Sequence, residues 1–189
     1  MSSHHIIREK QEPALLVLGL DSFDDELLGQ LLEWSPTLLV TANTAEQLNA
    51  FGIKYDVLIG DAGLEQQSDI KQVSTLGASP TEVALKYLAN NGYPAVNVVT
   101  DNLLLNDYRP YASLINIVIF NNAKKIYPVT SGFTKWKPAG DVIEIIGDSH
   151  IVDYTGLQKI GESQYQTIAD GFFTLQFNKP YLFIAESIA

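Results

Sequence analysis

The chain contains no cysteine. That excludes disulfide staples, a thiolate nucleophile and any cysteine-ligated zinc or iron–sulfur site. Basic residues are also scarce: 12 Lys and Arg stand against 22 Asp and Glu, for a formal net charge of -10. Spread thinly, they form no cationic track to neutralise a phosphate backbone, so no nucleic acid partner is expected. A small anionic ligand such as a nucleotide stays compatible, because helix N-termini and a divalent cation offset charge locally. No apolar run approaches the ~20 residues of a membrane span. The opening residues, MSSHHIIREKQE, lack the apolar core of a signal peptide. The expectation is a cytoplasmic protein with no membrane partner. Histidine is limited to His4, His5 and His150. His150 has no acidic or Ser partner at a diagnostic spacing, so it reads as a turn residue and not as part of a Ser-His-Asp triad.

What the chain does have is apolar material: 46% of 189 residues is enough for a substantial core in one or two domains. Leu15 to Gly19 reads as a first buried strand. Ser22-Phe-Asp-Asp25 offers a capping box for an amphipathic helix running to about Trp34, whose indole is expected in a core or domain contact. Leu38 to Val40 makes a second strand, and Thr44-Ala-Glu-Gln47 a second capping box for a helix that closes at Gly52. The loop containing Asn43 and Thr44 joins a strand end to a helix N-terminus, where free N–H groups suit an anion. Val57 to Ile59 is a strand buried on both faces, and Gly60 and Asp61 follow at its carboxyl end. A further strand is expected near Val73 to Leu76. Ser79-Pro-Thr-Glu82 then opens a helix that runs to Asn90. Ala95 to Val99 is the last strand of this series and ends in the polar groups Thr100, Asp101 and Asn102. Apolar strands alternating with helical stretches indicate βαβ units and a parallel, Rossmann-like sheet, whose carboxyl edge is where ligands bind.

From about Leu114 the pattern changes to short strand-like runs split by turn residues, with no helical period. Strands are expected at Ile117 to Phe120, Ala123 to Val129, Asp141 to Ile146, Ile151 to Thr155, Tyr165 to Ala169, Phe172 to Phe177 and Tyr181 to Ala185. The fold class is therefore α/β, with an N-terminal parallel-sheet domain over residues 1–122 and a small all-β sandwich over 123–189. Trp136, placed in a Gly/Pro-flanked loop, is a candidate for stacking on an aromatic ligand ring.

Gly52 to Gly63, GIKYDVLIGDAG, resembles the thiamine pyrophosphokinase family, whose members carry Gly-Ile-Lys-Pro-Asp, an apolar strand and Gly-Asp-x-Asp-Ser. The similarity extends in order along most of the chain. TEVAL at Thr81 to Leu85 looks like the helix after the family's aspartate motif. Thr155-Gly-Leu-Gln-Lys159 resembles its Gly-Leu-Lys-Tyr, and Ala169-Asp-Gly-Phe172 its Ser-Asn-x-Phe. The resemblance implies a nucleotide-binding-like first domain, a thiamine-binding-like second one, a homodimer, and transfer of a pyrophosphoryl group from ATP to the hydroxyethyl group of thiamine with Mg²⁺. It also makes Asp61 the candidate metal ligand and adds Asp170 to the ligand-binding candidates Asp61, Asn43, Thr44, Asp101 and Trp136.

The departures bear on activity. Ala42 to Ala45 replaces the family's Asp-Gly-Gly-Ala, Gly63 and Leu64 replace its second Asp and Ser, and Gly77 and Pro80 stand where an Asp-x-x-Asp pair would open the next helix. The thiamine motif Arg-x-Asp-His has no counterpart beyond Asn106-Asp107-Tyr108-Arg109. Mg²⁺ takes one or two carboxylates plus phosphates and waters, and several acidic groups are needed to clamp a transferring phosphoryl group. Only Asp61 of that set survives, with Glu65, Glu82, Asp101 and Asp107 as possible substitutes. No catalytic residue is assigned. The primary expectation is a non-catalytic homologue that still binds a nucleotide or thiamine-like molecule. The alternatives are an active kinase with a rearranged Mg²⁺ site and an interaction domain with a vestigial cleft.

Overall fold

The structure is a computed structural model and describes residues 12–60, 70–147 and 153–188. The chain divides into two compact units at Ile117/Val118, where the expected sequence boundary lay after residue 122.

The first unit carries five parallel strands, β1 (Ala14–Val17), β2 (Leu38–Thr41), β3 (Val57–Ile59), β4 (Lys71–Val73) and β5 (Ala95–Val99), in the order β5-β1-β2-β3-β4. β1, β2 and β3 are apolar runs because both sheet faces are covered; Leu16, Leu39, Val40 and Leu58 are wholly buried. At the sheet edge, β4 falls on Lys71–Val73, with Lys71 and Gln72 exposed, and not on Val73 to Leu76. Edge position relieves a strand of the need for apolar residues on both faces, which is why hydrophobicity misplaced it.

Helices α1 (Asp25–Leu32), α2 (Ala42–Ala50), α3 (Pro80–Asn90) and α4 (Leu105–Tyr108) connect and follow the strands, and a 3-10 turn at Arg109–Tyr111 succeeds α4. Two expected caps move. The N-cap of α1 is Asp24, whose carboxylate accepts from Leu27 N at 2.9 Å, and Ser22 is engaged elsewhere. α2 starts at Ala42 with Thr41 as cap and Thr44 as the third residue of the box, three positions before the expected start. Ser79 caps α3 by position, with Pro80 at the first turn, but its hydroxyl donates to Asp107 at 2.7 Å. Trp34 lies beyond the end of α1, out of its apolar register, and is 70% exposed, not packed.

The second unit is antiparallel. β6 (Asn116–Asn121), β7 (Lys124–Val129), β9 (Val142–Ile146), β11 (Leu157–Lys159), β12 (Gln164–Thr167) and β14 (Leu182–Ser187) form one sheet in the order β11-β12-β9-β14-β7-β6. β8 (Phe133–Lys137), β10 (Asp153–Thr155) and β13 (Gly171–Gln176) form a second, ordered β10-β13-β8. Ile143, Ile145, Leu182 and Ile184 of the first sheet share a core with Phe173 and Leu175 of the second. β8 and β11 have no counterpart among the expected strands. Phe-Thr-Lys-Trp-Lys and Leu-Gln-Lys contain no apolar run, so a search for such runs passes over them.

Candidate functional site

All five parallel strands present their carboxyl ends to one edge, where Asp101 and Thr44 are held by hydrogen bonds within the chain. Asp61, the expected metal ligand, lies outside the described residues, as does Glu65, and His150 likewise.

Asp101 is held by the loop that follows β1. Its Oδ2 accepts from Asp21 N at 3.0 Å, and its Oδ1 accepts from Ser22 N at 3.1 Å and from Ser22 Oγ at 2.8 Å. Burial works to raise this carboxyl, but the Ser22 hydroxyl and the two backbone N–H groups outweigh it and hold Asp101 below the ordinary carboxylate value. Asp101 therefore ties two loops together and does not stand free as a ligand or metal donor.

Thr44 is 1% exposed. Its hydroxyl donates to the Val17 carbonyl at 2.9 Å and accepts from Thr41 N at 3.0 Å, fastening the start of α2 to the end of β1. The Thr44 hydroxyl is thus committed within the chain, because a buried hydroxyl without partners is costly. Asn43 sits beside it in the first turn of α2 and is exposed.

Among the substitutes, Asp107 accepts from the Ser79 hydroxyl and Glu82 lies exposed in the first turn of α3. Tyr108, packed at 1% exposure, has its hydroxyl pushed up to about 12, chiefly by burial, so it stays protonated at neutral pH. Mg²⁺ requires oxygen donors converging in near-octahedral geometry. Among the described residues no three His, Asp or Glu side chains are placed to hold a metal, and both Asp101 oxygens are already engaged. The described donor set does not fit the ion.

In the second unit, Trp136 lies on β8 and not in a loop. It pairs across strands with Phe172 on β13, and the two are 52% and 68% exposed. Both rings are offered on the outer face of the smaller sheet. Asp170 is tied down by Ala139 N, which donates to its Oδ1 at 2.8 Å. On the opposite face of β8, Lys135 and Lys137 converge on Glu186, which is 6% exposed. Lys135 Nζ reaches the two Glu186 oxygens at 2.7 and 2.9 Å, Lys137 Nζ reaches Oε2 at 2.8 Å, and the Tyr127 hydroxyl donates to Oε1. Burial would raise the Glu186 carboxyl, but its donors, led by the two lysines, hold it below its ordinary value. Burial and the neighbouring carboxylate drive the Tyr127 hydroxyl upward. None of this cluster was singled out in the sequence, where a Lys-x-Lys and a distant Glu carry no spacing signal.

A parallel α/β unit followed by an antiparallel two-sheet unit is the architecture of the thiamine pyrophosphokinases, and the chain has their fold. A probable thiamine pyrophosphokinase from Staphylococcus saprophyticus matches with a TM-score of 0.70 at 14% identity, over 94% of this chain and 99% of that one. Yeast thiamin pyrophosphokinase matches at 0.69 and 9% identity, over 95% and 87%. Thiamine pyrophosphokinase from Bacillus subtilis matches at 0.62 and 12% identity, over 94% and 100%. No family model matches the sequence, and no curated protein does.

Proposed function

We propose that this chain is a non-catalytic thiamine pyrophosphokinase-like protein that binds a small molecule at the carboxyl edge of its parallel sheet without transferring phosphoryl groups. One observation carries the reading: Asp101, the carboxylate best placed after β5 to replace the lost acidic set, spends both oxygens on the β1–α1 loop. Three of its roughly four lone-pair sites are taken, so it has at most one left to offer Mg²⁺. Phosphoryl transfer depends on such coordination to neutralise developing charge.

The exposed Trp136 and Phe172 rings supply a flat apolar surface on which a nucleobase-like or thiamine-like ring can stack. A homodimer is the assembly proposed by likeness to the kinases. The second reading, an active kinase, draws its support from the match of fold over 94% of the chain to a probable thiamine pyrophosphokinase.

Incubation with thiamine, ATP and Mg²⁺, assayed for thiamine diphosphate and AMP, decides between them. The expected outcome is no product above the protein-free control, together with a thermal shift on adding ATP, AMP or thiamine. Turnover that falls on Asp61→Ala would overturn the non-catalytic reading, and absence of any thermal shift would overturn the binding one.

A further inference from the structure

Asp101 is bonded as a captured oxyanion would be. Two consecutive backbone N–H groups, from Asp21 and Ser22, and the Ser22 hydroxyl all donate to its two oxygens. Successive N–H groups in a turn make a concavity suited to anions. The place is also significant. β2, β3 and β4 extend the sheet on one side of β1 and β5 lies on the other, so the loops after β1 and β5 flank the point where the strand order reverses. In open α/β sheets that crevice is where ligands lodge.

Gly19 leaves room for the capture. A Cβ at that position would stand 2.2 Å from Asp101 Oδ2, well inside any tolerable contact. Two nearby carboxylates have donors of their own. Asp21 Oδ1 accepts from Gln47 Nε2 at 3.2 Å, and Asp24 Oδ1 accepts from Leu27 N at 2.9 Å.

We propose that the turn after β1 is a binding site for an oxyanion, a phosphate or carboxylate group of a small ligand, and that the Asp101 side chain is its tethered competitor. A tethered group competes at a high effective concentration. The unmodified turn is therefore largely closed to free anions, and any ligand that enters it displaces Asp101. This inference goes beyond the question of turnover and stands apart from it.

The test uses ¹⁵N-labelled full-length protein titrated with inorganic phosphate, pyrophosphate and acetate at constant ionic strength, following the Asp21 and Ser22 amide signals. In Asp101→Ala both amides are expected to move saturably, with an apparent Kd at least tenfold lower than in the unmodified chain. Phosphate and acetate separate the two oxyanion classes by which is held more tightly. Asp25→Asn removes the same charge from the first turn of α1 and is expected to leave the affinity unchanged. Should Asp101→Ala not fold, Asp101→Asn keeps the side-chain volume and is expected to show a smaller gain at the same two amides. The proposal is overturned if a folded Asp101 variant shows no anion-dependent shift at Asp21 and Ser22, or if Asp25→Asn gains as much. Because neither thiamine nor ATP is present, a negative result here says nothing about catalysis, and measured turnover says nothing about this turn.

Discussion

Replacing Glu186 by Ala should be among the most damaging single changes in the second unit. The carboxylate is 6% exposed and is shared by Lys135 and Lys137, whose side chains are 35% and 18% exposed. Removing one partner of a buried ion pair costs ~3–5 kcal/mol, because the remaining charge is left uncompensated. Two features lower that figure: Lys135 is accessible enough to be solvated, and Lys137 keeps Asp141 at 3.0 Å. A loss of about 3 kcal/mol is expected at pH 7, read by urea denaturation. At about 2–4 °C per kcal/mol for a chain of this size, Tm should fall by roughly 6–12 °C. Glu186→Gln, which keeps the volume and one acceptor, should lose about half as much. The pH dependence follows from the direction of the shift. The folded Glu186 carboxyl lies below its ordinary 4.5, so its contribution is complete above that value and disappears as pH falls through the lowered folded value. Lys137 is raised above 10.5, so its contribution is complete below 10.5 and fades as pH rises through the raised value. The stability gap between the unmodified chain and Glu186→Gln should thus be flat near neutrality and narrow in acid. A Gln variant within 0.5 kcal/mol of the unmodified chain at pH 7, or a gap that persists undiminished at low pH, would refute the reasoning.

Two further changes test backbone geometry, both by thermal or urea unfolding. Asn122 and Ala123 link β6 to β7 with φ of 48° and 59°, the positive values a two-residue hairpin demands, and Ala meets that demand at a cost. Ala123→Gly is expected to stabilise the protein by about 1 kcal/mol, and an unchanged midpoint would count against strain at that site. Gly156 has φ of 72°, and a Cβ there would stand 2.6 Å from the Phe172 carbonyl oxygen. Since that neighbour is backbone, Gly156→Ala should cost at least about 2 kcal/mol, and a loss below 0.5 kcal/mol would show that the strands part easily.

The parallel unit was open to sequence reading where strands are buried on both faces. Val57–Ile59 falls where its apolar run ends, because burial on two sides leaves little choice of residue. Helix caps were harder to place. Ser22 and Thr44 both fit local capping patterns, yet their hydroxyls serve Asp101 and the Val17 carbonyl, partners 79 and 27 residues away. A short-range motif cannot register such competition. Asp101 was noted as a polar group at a strand end, but its capture depended on a glycine in another strand's loop, and nothing at Asp101 itself advertised the fact. Trp136 was misread for a different reason: flanking Gly and Pro suggested a loop, whereas the alternation of Lys135, Trp136 and Lys137 is the signature of a strand with one face buried in charge and the other open.

The space that Gly19 leaves beside Asp101 Oδ2 also couples what these two positions can hold. Any side chain at position 19 would expel the carboxylate, so in descendants of this chain a substitution there is tolerable only after position 101 has become smaller. Loss of the Asp101 side chain, by contrast, removes the 2.2 Å obstacle and leaves the backbone nitrogen of residue 101, 3.0 Å from a Cβ at position 19, as the remaining limit. The order of substitution is therefore constrained in one direction: the Asp101 side chain must shrink before position 19 can grow.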